Sequence, residues 1–380
     1  HRDLHSFPTR RSSDLWLAPF CNITIIGGII VAKFRIERSP APMWTRALIP
    51  VAAVLVTFIV TSIFILLAGA NPFEAYYNFI IVPLSSKFSA LEVLVKATPL
   101  IFTGIAVTFA FAAGYYNIGA EGQLYAGAVA AAWVGATFTN LPAIIVVPLM
   151  LILGFAGGML WALLPAFLKV KLKVDEVVTT LLMNSIIMYI ISALLNGPWR
   201  DPETGWPKSP EFFEAARFVQ LIPKSRLHLG FVIALIVVVI VFIIIKRTSF
   251  GLQMRAAGAS KAGALFAGIN VNRTMLIAAL VSGGIAGLAG VSEIAGIHYH
   301  LISELSGGYG YTGIIVATLG GLNPIGATVA AMFIGLIDTG AQTVSRVLGV
   351  PVYLGDVVQS TLLLVTLGML LLQNYRIKRI

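Results

Sequence analysis

Long apolar runs separated by short polar, basic or Gly/Pro-rich joints make up most of this 380-residue chain. About 20 apolar residues cross a bilayer as a helix. On that measure the runs at 47–69, 93–113, 124–140, 142–168, 177–196, 229–245, 274–296 and 356–373 each read as a span. Asn140-Leu141-Pro142 divides the pair 124–140 and 142–168. The run 305–337 carries no charge, is too long for one span, and breaks at Gly320-Gly321-Leu322-Asn323-Pro324. The pattern predicts an all-α, polytopic membrane protein of eight to ten helices, with its main domain at 47–375.

Two segments stand outside that pattern. Residues 1–15 are polar, lack a helical period and resemble translated sequencing-adapter sequence, so they are set aside from the fold. Residues 16–46 contain a short apolar stretch, 16–32, that does not make a clear span.

Composition agrees with the membrane class. The chain is 58% hydrophobic and 11% charged, against about 25% charged in soluble domains, and its mean hydropathy is +0.91. The net charge of +10 does not call for nucleic acid, because the basic residues cluster between apolar runs. That is the distribution of cytoplasmic loops. Lys33, Arg35, Arg38 and Arg46 predict a cytoplasmic N-terminal side. Further cytoplasmic loops follow at Lys169, Lys171 and Lys173 and at Lys246, Arg247, Arg255, Lys261 and Arg273; Arg376, Lys378 and Arg379 put the C-terminal side inside. Segment 197–228, with five prolines and mixed charges, is then extracytoplasmic. An even number of crossings after residue 273 requires that 305–337 cross twice or that a segment near 338–352 cross. One cysteine, Cys21, and five histidines offer no metal-ligand spacing, His298-Tyr299-His300 being too short, and no paired groups suggest catalysis.

The densest chemistry sits at Tyr115-Tyr116-Asn117-Ile118-Gly119-Ala120-Glu121-Gly122-Gln123. No Asp, Glu, Lys or Arg occurs at 97–120 or 124–168, so Glu121 lies at membrane depth. An ionisable group there is costly unless a partner satisfies it, and irregular backbone survives there only under protein or in a water-filled cavity. A weak repeat points the same way. Phe102-Thr103-Gly104-Ile105-Ala106 and then Gly114–Gly119 correspond to Ser282-Gly283-Gly284-Ile285-Ala286 and then Gly308–Gly313. Matched breaks in two halves mark a midplane pathway in transporters. Gly283, Gly284, Gly287 and Gly290 read instead as close-packing positions.

Segment 246–273 is the second distinctive feature. Ser260 is placed to cap a short helix, Ala259–Ala267 has high helix propensity, and Gly258 and Gly268 punctuate its ends. Such a helix suits the grip of a separate motor subunit. No Walker A sequence occurs in the chain.

These residues resemble a known family. Asn117-Ile118-Gly119-Ala120-Glu121-Gly122-Gln123 is similar to the signature of ABC importer permeases of the branched-chain amino acid and simple-sugar superfamily, nearest its nucleoside-uptake branch. Val174–Asn184, Phe250–Gly258 with Ala267–Val271, and Gly310–Pro324 resemble three further family stretches, in the same order, and the resemblance covers about 45–375. It implies a second, homologous permease, an ABC ATPase partner with two ATP-binding sites that uses ATP and magnesium, and an extracytoplasmic substrate-binding lipoprotein. It also implies alternating access in a bacterial plasma membrane, with no cofactor in this chain. Gly251, Arg255, Gly258, Ser260, Ala264 and Gly268 fall in what the resemblance makes the ATPase-coupling segment.

Roles in the pathway follow from side-chain chemistry. Asn117 and Gln123 offer amide donors and acceptors to a base or ribose, and Glu121 can accept from ribose hydroxyls or from backbone N–H groups at a helix start. Tyr115, Tyr116, Tyr309 and Tyr311 are candidates to stack on a base, and Asn184 to face the pathway. Asp175 and Glu176 read as caps of 177–196. Rival readings are a permease for ribose or another simple sugar, which would need no stacking aromatics, and an ion-coupled carrier, which would need more intramembrane charge than Glu121.

Overall fold

Each element starts or stops where its sequence permits. A computed structural model describes residues 34–38, 43–138 and 141–379; the segment 1–33, with Lys33 and Cys21, and Asn140 lie outside the described residues. The elements are α1 (Met43–Leu67), α2 (Pro72–Ile80), α3 (Lys87–Ala112), α4 (Ala120–Thr137), α5 (Ala143–Phe167), α6 (Glu176–Asn196), α7 (Leu229–Arg247), α8 (Ser249–Ala259), α9 (Lys261–Phe266), α10 (Val271–Glu293), α11 (Tyr309–Leu319), α12 (Pro324–Leu348) and α13 (Leu354–Asn374). Asp175 caps α6 by accepting from Val177 N and Val178 N. Asn323 caps α12, with Pro324 in its first turn, where a missing N–H costs nothing.

The all-α expectation holds for the membrane body. One short antiparallel ribbon, Phe34–Arg38 with Tyr375–Arg379, is added to it. That pairing puts the start of α1 and the end of α13 side by side.

Among the described residues, six helices are long and apolar enough to cross a membrane: α3, α5, α6, α7, α10 and α12. A seventh follows if α1 and α2, bent by 118° at Asn71, count as one span. The remaining predicted runs are α4, of 18 residues, the 11-residue α11, and α13. At 1.5 Å per residue α11 covers about 16 Å, half of a bilayer core. Run 305–337 is therefore two elements, α11 and α12, joined by a tight turn at Gly320–Asn323.

Element α2 has no counterpart in the predicted spans. It is a nine-residue helix capped by Asn71, and at that length the search for charge-free runs does not register it. Segment 246–273 holds the short helix expected after Ser260, α9, and a further helix before it, α8.

Burial sorts the helices into layers. Most of α3 and α10 is enclosed, whereas α5, α6 and α7 turn exposed apolar faces such as Ile144, Leu160, Tyr189 and Val239 outward, as lipid contact requires. Helices α4, α5 and α10 pack backbone to backbone. A methyl group on Gly127 or Gly287 would overlap the facing backbone, and Gly158 meets Gly283 in the same way. The packing reading of Gly283, Gly284, Gly287 and Gly290 is what the structure has: each abuts a neighbouring helix.

The two related halves have opposite directions. Helix α3 runs toward α8, where Gly114 touches Gly258. Helix α10 runs toward segment 197–228, whose Phe218 N donates to Ala295 O at 2.8 Å. Each is followed by an irregular break and a short helix, 113–119 before α4 and 299–308 before α11. This is an inverted arrangement of the kind that places a site between repeats.

Candidate substrate pathway and coupling surface

The two breaks meet at Glu121. Its Oε2 accepts from Gly310 N at 2.6 Å, and the Ser306 hydroxyl and Gly308 N–H lie beside the carboxylate. Gly310 fits so tightly that a Cβ would strike the Glu121 backbone. The carboxylate of one half thus caps the helix that follows the break of the other half, where orphan N–H groups and the helix dipole favour negative charge. Tyr125, one turn on, extends the seam: its hydroxyl donates to Ser303 O at 3.0 Å and accepts from Ser306 N at 3.1 Å.

Asn117 and Gln123 pair with each other. Asn117 Nδ2 donates to Gln123 Oε1 at 2.8 Å, and Gln123 Nε2 donates back to Asn117 Oδ1 at 3.1 Å. Asn117 also donates to Ser282 Oγ at 2.9 Å, and Ser282 donates to Ala106 O at 2.6 Å. Asn117 Oδ1 takes Gly119 N at 2.9 Å. These bonds fasten the first break to α3 and α10.

Asn184 fastens it to α6. It accepts from Gly122 N at 2.9 Å and donates to Ile118 O at 3.0 Å and to the Tyr311 hydroxyl at 3.1 Å. Because Asn184 lies eight residues into α6, this level is about 12 Å from that helix's start.

Asn117, Glu121, Gln123, Asn184 and Tyr311 are therefore brought together, and they spend much of their hydrogen-bonding capacity on one another and on backbone. The tyrosines divide. Tyr311 is 43% exposed and Tyr116 is 54% exposed, its ring edge-on to Phe111 at 5.1 Å. Tyr309 is half-buried in the first turn of α11. Tyr115 is buried beside Ala257 and Met275, away from the seam, and its hydroxyl has no partner among the described residues.

The basic-loop face connects directly to the first break. Gly114, in the left-handed region at φ +70°, faces Gly258 of α8, and a Cβ on Gly258 would lie 2.5 Å from the Ala112 carbonyl. Tyr116 N points to Glu176 Oε1 at 3.5 Å, and Glu176 pairs with Lys169. Ser260 caps α9 by accepting from Gly263 N at 3.1 Å. Ala264 is buried against the Tyr115 cluster, while Phe266 is 97% exposed. Gly251 packs under the end of α7; Arg255 is exposed, with its Nε donating to Gly251 O at 3.4 Å; and Gly268, at φ +79°, ends the α9 turn.

Several polar residues were not singled out from the sequence. Ser282 completes the Asn117 cluster. Asp338 of α12 accepts from Gln359 of α13, and Thr312 of α11 bonds Gln359 at 3.4 Å. A lone carboxylate inside a long apolar helix is the signal that marks Asp338. Glu293 is buried at the end of α10, 3.9 Å from His298 Nε2. Among the described residues no group of His, Cys, Asp and Glu side chains could hold a metal ion.

Comparison with known proteins adds the family. Residues 89–367 match the model of the branched-chain amino acid transport system / permease component. The chain is similar to a glucose ABC transporter permease protein of Haloferax volcanii, 32% identical over 350 residues, 90% of this chain and 92% of the relative. It is also similar to a guanosine ABC transporter permease protein of Bacillus subtilis, 34% identical over 326 residues, 84% of this chain and 92% of the relative. A nucleoside ABC transporter permease protein of Lactococcus lactis is 31% identical over 305 residues, 78% of this chain and 84% of the relative. With these matches, and with the matched breaks and apolar helices they span, the chain belongs to the branched-chain amino acid transport system / permease component family: it is a multi-pass ABC transporter permease, not an enzyme.

Proposed function

We propose that this permease imports nucleosides across a bacterial plasma membrane by alternating access. The observation that carries the transport mechanism is the seam at Glu121, where the breaks of two inverted halves meet. The nucleoside assignment is supported by the guanosine and nucleoside permeases among the relatives and by the exposed rings of Tyr116 and Tyr311 at the break. A base presents a π face for such rings to stack on.

In this reading the basic loops, and with them both ends of the described chain, face the cytoplasm. An ABC ATPase docks on α8 and α9 and hydrolyses ATP with magnesium; this chain supplies no cofactor. Closure of the ATPases moves α8, and the Gly258–Gly114 contact passes that motion to 113–119. A second, homologous permease completes the pathway. A substrate-binding lipoprotein delivers the nucleoside at segment 197–228 with 299–308. ATP shifts the equilibrium only by binding the inward- and outward-facing states differently.

The glucose permease relative supports a second reading, a simple-sugar importer. Uptake of labelled guanosine and uridine into proteoliposomes holding all four components, with excess glucose or ribose as competitor, separates the two. ATP-dependent nucleoside uptake that neither sugar blocks is expected. Uptake abolished by a sugar moves the assignment to sugar import, and uptake without ATP overturns the mechanism.

A further inference from the structure

A cavity of about 300 Å³ lies on the basic-loop face, between the end of α5, the start of α10 and α9. Its apolar lining includes Val170, Leu265, Val271 and Met275. Lys169, Lys173 and Lys261 also line it, and among the described residues no carboxylate does.

The three lysines are not equally committed. Lys169 is paired with Glu176, so its charge is balanced. Lys173 reaches the neutral Asn272 side chain at 3.4 Å and makes no ion pair among the described residues. Lys261, the first residue of α9, makes no ion pair or hydrogen bond among the described residues. Lys173 also stands in the left-handed region, at φ 59°, at the turn that ends the α5 extension. The cavity therefore holds two lysines without an ion pair among the described residues, beside an apolar lining.

Its level matters as much as its lining. The continuous span Ala143–Leu172 ends here. The exposed apolar side chains Leu164, Phe167 and Leu172 run along that span up to the lysines. A ligand at this height meets the end of the hydrocarbon on one side and water on the other. We propose that the cavity binds an anionic phospholipid of the adjoining leaflet. The phosphate group sits between Lys173 and Lys261, and the first part of an acyl chain lies on Leu265, Met275 and Val170. Basic pockets between helices on the cytoplasmic side suit such headgroups. A free phosphate would use the lysines but leave the apolar lining without a partner, so the combination selects lipid. Bound there, the lipid ties α9 to the α5–α6 turn and to the base of α10, next to the Glu176–Tyr116 contact. The inference rests on membrane embedding and on the cytoplasmic orientation of the basic loops, and failure of the nucleoside reading would leave it untouched.

The test uses the complete purified transporter, delipidated in detergent. Native mass spectrometry then counts retained phosphatidylglycerol and, separately, phosphatidylcholine with the same acyl chains. Wild type is expected to retain phosphatidylglycerol in preference to phosphatidylcholine. Affinity falls roughly 30-fold in the double variant Lys173→Gln, Lys261→Gln, the loss of two charges at a membrane surface. The charge-preserving pair Lys173→Arg, Lys261→Arg keeps binding, which separates lost charge from misfolding. Lys246→Gln with Arg247→Gln removes two charges elsewhere on the same face and leaves retention unchanged. Equal loss in that control, no loss in the lysine variant, equal retention of both lipids, or displacement by millimolar inorganic phosphate would each overturn the proposal.

Discussion

At Glu121 a carboxylate written into one half of the chain closes a helix in the other. Its partner Gly310 lies 189 positions away. The same holds for Asn117, whose partner Ser282 is 165 positions away. The amides are thus fasteners of the break as well as candidate substrate contacts, and the two roles predict different phenotypes. Removing one side chain leaves buried partners unsatisfied, at about 1–3 kcal/mol. Asn117→Ala is expected to lower thermal stability in detergent by that order, through the orphaned Gln123 and Ser282. A change confined to substrate KM, with an unaltered melting curve, would show that the hydrogen bonds carry little of the fold. His228 supplies a pH-dependent counterpart outside the spans. It caps α7 by accepting from Gly230 N at 3.1 Å, and burial pushes its imidazole down to about 4. A folded pKa below the unfolded value of about 6.5 means the stability is fully present above that value and is lost as pH falls toward 4. Between pH 7 and 5 about 2 kcal/mol should go. His228→Asn, which keeps a cap acceptor, should flatten this part of the stability-versus-pH curve, read from thermal melts.

Between α8 and the first break, contact is backbone on backbone. Gly258 has no room for a side chain against Ala112 and Gly114, so α8 cannot shift without moving the segment that leads to Asn117. Gly258→Val should push α8 off the break. The expected result is an assembled transporter whose ATPase still turns over but whose uptake falls at least about tenfold, a loss of about 1.4 kcal/mol in coupling. Parallel assays of phosphate release and substrate uptake check it; unchanged uptake per ATP would remove Gly258 from the coupling route. Ser260 was legible as a helix cap from its position before Lys261–Phe266, because capping is a local property of side chain and backbone. The Gly258–Gly114 contact was not legible, because nothing in either segment names the other.

For the molecule as a whole, two inverted halves share a small-residue core. Gly127, Gly158, Gly283 and Gly287 let α4, α5 and α10 approach at backbone distance, which is how helices gain packing energy when lipid is as apolar as the side chains. Gly287→Leu should overpack this junction by about 1–3 kcal/mol or more. The expected outcome is little folded, monodisperse protein by size-exclusion chromatography, where Leu at the outward-facing Val239 is tolerated. A normal profile for Gly287→Leu would show that the three-helix junction can open.

What the sequence by itself determined was the class and the places where chemistry interrupts it. Apolar length and basic clustering are local quantities, so the long spans α3, α5, α6, α7 and α10 and the breaks near 113–119 and 320–323 could be read along the chain. So could the cap at Asp175, which needs only its own helix. Short α2, amphipathic in register and too brief for a length criterion, escaped. Only the tertiary structure decided what the polar groups do, since a buried amide or carboxylate is defined by its partner, and these partners come from distant segments. Tyr115 and Tyr116, adjacent in sequence, go to a buried cluster and to an exposed ring. Glu121 became the cap of α11 because folding carried the second break to it, and no spacing along the chain encodes that meeting.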